Sequence, residues 1–250
     1  MKFPANQYLT RIAASVGVQD TTRAVQIFVK DKLSNNQSLE GLARNLGVNE
    51  IIEERLSFEG GLFDTPEKGL VIKLNAESSS SRKRFTLAHE IGHLLLGTVS
   101  RLRSMRREDP TLERACDSIA AELLMPSEEA IAFVRSLGQP SPEKLKIIAS
   151  KYSVSLRAAA IRVHVDFNLW KCFIGLWECY PQIKTAWFVG RRRWDRVEPD
   201  SYSLDLALSS EIPVQSKELW QKGPSSDPVW LNLLRIGNNG RVLGLIGFVN

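Results

Sequence analysis

The sequence predicts an α+β fold, and three observations carry that expectation. Apolar residues recur at three- and four-residue steps through much of the first two thirds of the chain, the period of amphipathic helices. A pair of short strand-like runs interrupts them at residues 60–75. From about residue 167 the composition shifts to further strand-like runs, and all six tryptophans lie in that part of the chain.

The whole-chain quantities bound the answer. At 250 residues the chain can bury one large core or two small ones. Its hydrophobic and charged fractions, 43% and 24%, are those of a globular protein. No apolar run approaches membrane-spanning length, and the first residues lack the apolar core of a signal peptide, so a cytoplasmic protein is expected. Cys116, Cys172 and Cys179 lack metal-type spacing and read as reduced, buried thiols. The net charge of +5 is clustered: Arg82, Lys83 and Arg84; Arg101, Arg103, Arg106 and Arg107; and Arg191, Arg192 and Arg193. Such clusters suit a phosphate backbone, an acidic protein surface or simple solvation.

The elements follow in order. Residues 1–35 read as mostly helical, and residues 38–55 as further helix broken at Gly47. Gly60-Gly61 opens a β region: Leu62-Phe63, a turn over Thr65-Pro66-Glu67-Lys68-Gly69, then a strand over residues 70–75. A polar stretch (residues 78–84) precedes a helix whose apolar stripe is Phe85, Ala88, Ile91, Leu94 and Leu95, with Gly97 as its stop. Asp109-Pro110 reads as an N-cap followed by proline at the first helical position, and Pro126 closes that helix, giving about residues 110–124. Leu112, Cys116, Ile119 and Leu123 form its buried stripe. Ser141-Pro142 starts a helix to about Ser150. Ser155 caps another through Val163, and together the two resemble a helix-turn-helix. The second is largely apolar (Leu156, Ala158, Ala159, Ala160 and Ile161) with only Arg157 and Arg162 as contacts, which favours packing over insertion into a DNA groove. Strands are expected at residues 169–177, 183–189, 203–208, 230–236 and 241–249, with Asn238-Asn239-Gly240 as a hairpin turn. The domain expectation is 1–138, a helical segment 139–166, and an α+β domain 167–250.

The chemistry concentrates at His89-Glu90-Ile91-Gly92-His93, which holds two of the three histidines. Positions i and i+4 share a helix face, so both imidazoles can reach one metal ion. Glu90 projects beside that ion, where it can act as general base toward a water, as in zinc peptidases. A catalytic zinc takes three protein ligands, so a third donor is needed. The downstream candidates are Glu108, Asp109, Glu113, Asp117 and Glu122. Glu122 lies nine residues from Glu113, on the opposite side of the helix at about 100° per residue. Glu113 is the favoured ligand, because Asp117, one turn on, can then accept the second ring N–H of a ligand histidine. Zn²⁺ is the expected ion, and Mn²⁺ is compatible with two imidazoles and a carboxylate. His164 and Tyr152 are candidates for an additional oxyanion donor, each with a structural role as the simpler reading.

These stretches resemble the ImmA/IrrE metallopeptidases. The resemblance rests on residues 84–96, residues 113–126, and, upstream, residues 42–48 and 61–75. It implies a zincin-like, gluzincin-type domain in which His89, His93 and Glu113 bind the metal and Glu90 is catalytic. It also implies a helix-turn-helix repressor as protein substrate, whose cleavage induces stress-response or mobile-element genes, and in some members a sensor-like C-terminal domain of the GAF type. In metallopeptidases of this type an exposed strand borders the cleft and takes up a peptide as an added strand; residues 70–74 are the candidate here. The alternative functions are a DNA-binding transcriptional regulator, or a repressor-docking protein, with a structural metal site. Neither explains a glutamate placed as a base.

Overall fold

The computed structural model describes residues 7–32, 38–97, 109–180, 182–190, 199, 201–210, 212–216 and 229–248. They divide into two units, Met1–Glu129 and Ala130–Asn250, each with its own sheet.

The first unit begins with α1 (Gln7–Ser15) and α2 (Thr21–Lys32), in agreement with the helical reading of this region. Asp20 accepts hydrogen bonds from the backbone N–H groups of Thr22 and Arg23 (2.8 and 3.2 Å), which starts α2. Ser38 caps α3 (Leu39–Asn45) in the same way. Beyond Gly47, at φ +93°, the chain does not resume a helix. Residues 50–54, expected to be helical, form β1 (Glu50–Glu54). The reason is long-range. Ile51 and Ile52 pair in parallel with Ile72 and Lys73, and β-branched residues gain more from that ladder than from a short isolated helix.

β2 (Gly60–Thr65) and β3 (Gly69–Asn75) form the expected hairpin, with Leu62 opposite Ile72. The strand order is β1-β3-β2, so β3 is central. This corrects the expectation that residues 70–74 form an exposed strand. Both edges of β3 are paired, and its backbone has no free ladder for a peptide. The edges are β1 and β2. Glutamates line β1, and Lys68–Glu50, Lys73–Glu54 and Lys83–Glu53 ion pairs of 2.6–2.7 Å cover it. Val71, Ile72 and Leu74 of β3 are buried. Against this sheet lies α4 (Ser80–Leu95), and against α4 lies α5 (Pro110–Leu124). α6 (Ser127–Ser136) follows.

The second unit contains α7 (Pro142–Lys151) and α8 (Leu156–Ile161), capped by Ser141 and Ser155 as the sequence indicates. α8 is shorter than expected, because the backbone widens into a π-helical segment at Arg162–Asp166. Ala159 and Ala160 are fully buried. Arg162 is buried as well, bonded to Asp166 (3.0 Å) with its guanidinium 4.5 Å from the Phe167 ring centre. One of the two side chains available for DNA is therefore spent on packing.

A five-stranded antiparallel sheet follows, in the order β5-β4-β8-β7-β6. Its strands are β4 (Phe173–Glu178), β5 (Lys184–Val189), β6 (Val214–Ser216), β7 (Val229–Ile236) and β8 (Arg241–Phe248). β7 and β8 pair across the predicted turn. Residues 203–208, expected as a strand, lie in α9 (Ser201–Ser209). The alternation of leucines suggests a strand. The chain instead uses Leu204 and Ala207, three residues apart, to bury one helical face on Phe173, Trp177, Leu233 and Val242. The three cysteines are buried and unpaired, in agreement with the sequence reading. Trp194, Trp220, Arg191, Arg192 and Arg193 lie outside the described residues.

Candidate metal centre

The site is built on α4 and α5. Ser79 caps α4, accepting from the Arg82 N–H at 3.3 Å, and Gly97 at φ +65° ends it. The helix contacts β2 and β3 on one side and α5 on another. Burial therefore reaches beyond the single stripe read from the sequence: Thr86, Leu87, Ala88, Glu90, Ile91, Gly92 and His93 are all buried, whereas Phe85, Leu94 and Leu95 are only half-buried. Phe85 packs toward the site, its ring centre 6.2 Å from that of His89.

Asp109 caps α5 by accepting from the Thr111 N–H (2.9 Å), with Pro110 in the first turn. Leu112, Cys116, Ile119 and Leu123 are buried, as the periodicity requires. The two helices approach closely at Gly92. A Cβ there would lie 3.0 Å from the Cα of Cys116 and 3.2 Å from its carbonyl oxygen. Only a glycine lets the backbones come this near without displacement, and this approach sets the span that side chains must bridge between the helices.

Across that span the expected residues meet. Glu113 Oε2 lies 3.0 Å from His89 Nε2, and Glu113 Oε1 lies 3.5 Å from His93 Nε2. Asp117 Oδ1 lies 2.9 Å from His89 Nδ1. The two imidazole rings are 5.0 Å apart, edge to face. Glu90, next to His89 on α4, is buried, 8% exposed. Two ligands of a tetrahedral zinc at nitrogen and oxygen bond lengths of ~2.0–2.2 Å stand ~3.3–3.5 Å apart. The His93–Glu113 separation of 3.5 Å matches that span. The His89–Glu113 separation of 3.0 Å is shorter by ~0.3 Å, a hydrogen-bond distance that an ion would open slightly. The donor set, two imidazoles and a carboxylate, fits a divalent ion.

The electrostatics agree. Burial pushes His93 down to about 4, with the neighbouring His89 adding to the effect, so its ring is neutral near pH 7, the form a metal ligand needs. For His89, burial works downward. The hydrogen bond to Asp117 and the charges of Glu90, Asp117 and Glu113 outweigh it, and the net shift is upward. A ring so placed is a more basic donor.

The other candidates have other roles. Asp109 is spent on its cap. Glu122 is buried and accepts from Ser127 N–H and Ser127 Oγ–H (2.8 and 2.6 Å), tying α5 to α6. His164 Nδ1 pairs with the Trp170 carbonyl (2.6 Å), and Tyr152 packs edge-on against Phe133. Glu108, Arg101, Arg103, Arg106 and Arg107 lie outside the described residues.

Sequence reasoning assigned Cys116 to the core alone. Its sulfur and one ring nitrogen each of His89 and His93 all lie within 4.8 Å of one another. The available signal was its position three residues after Glu113, one helical turn on and so near the same face. Burial raises its thiol above the usual range, and the charges of Glu113, Glu90 and Asp117 add to the shift.

Residues 43–164 match the M78 peptidase family, described as the IrrE N-terminal-like domain. This stretch belongs to the ImmA/IrrE family. The chain is similar to the radiation response metalloprotease IrrE of Deinococcus radiodurans, with 35% identity over 111 residues. That match covers 42% of this chain and 33% of the relative. It is also similar to the protein of the same name from Deinococcus deserti, with 36% identity over 106 residues, 40% of this chain and 37% of the relative. The chain thus spans about a third of the length of the curated relatives it matches. Among solved structures, a Mycobacterium tuberculosis transcriptional regulator shares the fold, with a TM-score of 0.58 at 13% identity. That match covers 98% of this chain and 82% of the other. No described helix is long and apolar enough to cross a membrane.

Proposed function

We propose that the protein is a zinc-dependent, gluzincin-like endopeptidase of the cytoplasm, with His89, His93 and Glu113 as the metal ligands. One observation carries the reading: a single carboxylate, Glu113, lies within 3.5 Å of both imidazoles of the metal helix. Membership of a metallopeptidase family supports it.

When bound, the ion acidifies a water and polarises the peptide carbonyl. The chain supplies the rest. Asp117 accepts the Nδ1–H of His89 and so presents the Nε2 lone pair toward Glu113. Glu90 takes the proton of the attacking water and returns it to the leaving amine. Mn²⁺ can serve in place of Zn²⁺ with this donor set.

The proposed substrate is a helix-turn-helix repressor, whose cleavage would induce stress-response or mobile-element genes. In this reading residues 1–138 form the zincin-like peptidase domain, 139–166 a helical connector resembling a helix-turn-helix, and 167–250 a sensor-like domain of the GAF type. The antiparallel sheet of the second unit is compatible with the last assignment.

The test mixes the purified protein with candidate helix-turn-helix repressors from the same genome, with Zn²⁺, with Mn²⁺ and with a chelator. Cleavage should require metal. Glu90→Gln should keep the metal and lower the cleavage rate by a factor of 100 or more, roughly the contribution of a positioned base. Cleavage by Glu90→Gln at the wild-type rate would exclude Glu90 as the base.

A further inference from the structure

Cys116 is a donor that the proposed peptidase mechanism leaves unused. It stands one turn beyond Glu113 on α5, fully buried, and its sulfur forms a compact group with a nitrogen of each imidazole. Leu112 and Ala115 share its buried cluster, and filling the α4–α5 interface is the simpler role for a small side chain. Filling space, however, does not account for a sulfur within 4.8 Å of a nitrogen of each imidazole. A thiolate is also among the strongest donors for zinc-like ions.

We propose that Cys116 is a protein ligand of this centre, completing a His89, His93, Glu113 and Cys116 set that closes the site in a resting form. The inference rests on the reading of the centre as a metal site. Nitrogen and sulfur ligands of one zinc lie ~3.6 Å apart. From within 4.8 Å, the sulfur needs to move by at most ~1.2 Å, the scale of a modest side-chain rotation. On closure the S–H bond breaks and the proton leaves to solvent. A sulfur lone pair forms the new bond to the ion, and a water returns to bulk. Four protein ligands characterise structural zinc sites, and three with one open position characterise catalytic ones. Cys116 therefore separates a closed, water-free state from an open one, and it biases the centre toward thiophilic ions.

The test is Co²⁺ titration of the metal-free 250-residue chain, read by absorption. Wild type should show sulfur-to-cobalt charge-transfer absorption in the near ultraviolet beside the visible ligand-field bands. The Cys172→Ala, Cys179→Ala double variant, in which Cys116 is the sole thiol, should keep it. Cys116→Ala should keep the visible bands, lose the charge-transfer absorption, and show a preference for Cd²⁺ over Mn²⁺ reduced by roughly tenfold or more. If Cys116→Ala does not fold, the double variant decides. Retained sulfur absorption there supports the inference, and its absence overturns it. Visible bands without sulfur absorption in wild type would also overturn it, and would leave the peptidase reading standing. No cobalt binding at all would overturn both.

Discussion

Gly92 shows how one residue sets the geometry of the centre without touching the metal. Its missing side chain lets α4 lie against the backbone of Cys116, and that spacing keeps Glu113 within reach of both imidazoles. Gly92→Ala gains about 1 kcal/mol of helix propensity and loses about 1–3 kcal/mol to overpacking against backbone that yields only by moving the helix. The net is a loss of about 0–2 kcal/mol, small enough to leave the fold intact, so the effect should also appear in the site. Metal affinity, measured by competition with a chromophoric chelator, should fall several-fold with the far-ultraviolet circular dichroism unchanged. Wild-type affinity would mean that the α4–α5 spacing does not position the ligands. Much of this residue-scale chemistry was legible in the sequence. The histidine spacing singled out one helix face, and the Asp109 cap with the Leu112, Cys116, Ile119 and Leu123 stripe fixed the phase of the next helix. That phase pointed Glu113 and Asp117 to one side and Glu122 to the other. The proximity of Cys116 to the imidazoles was not legible, because an apolar stripe tells which residues are buried and not what they are buried against.

Elements were readable where their signals are local. The caps at Asp109, Ser141 and Ser155 each accept a backbone N–H in the predicted place, since capping involves only residues two or three apart. The metal helix adds a cap at Ser79. Ser79→Ala should cost about 1 kcal/mol, seen as a drop of the unfolding midpoint by a few degrees, and should not change the metal stoichiometry. A change in stoichiometry would show that the first turn of α4 contributes to the ligand geometry. Two elements were misread where the deciding partners are remote. β1 carries only two apolar residues among glutamates and is a strand because β3 offers it a parallel ladder. Residues 203–208 alternate like a strand, yet the sheet beneath them accepts a helical face. The same limit hid the position of β3. Its sequence shows that it is a strand, but strand order depends on pairings made across the sheet.

At the scale of the whole molecule, the two units differ in what they display. The unit Met1–Glu129 brings four chemistry-bearing side chains from α4 and α5 together: His89, His93, Glu113 and Asp117. In the unit Ala130–Asn250 the arginine and histidine singled out from the sequence, Arg162 and His164, serve packing. The central claim is that the first unit holds one divalent ion through His89 and His93 together with Glu113. The most direct measurement is the metal content, by elemental analysis after dialysis, of the wild-type chain and of His93→Ala loaded identically. Either form of the centre, open or closed by Cys116, needs both imidazoles. Wild type should hold one Zn²⁺ per chain, and His93→Ala should lose nearly all of it with the fold intact. Wild type that retains no metal, or a His93→Ala variant that retains as much as wild type, would contradict it.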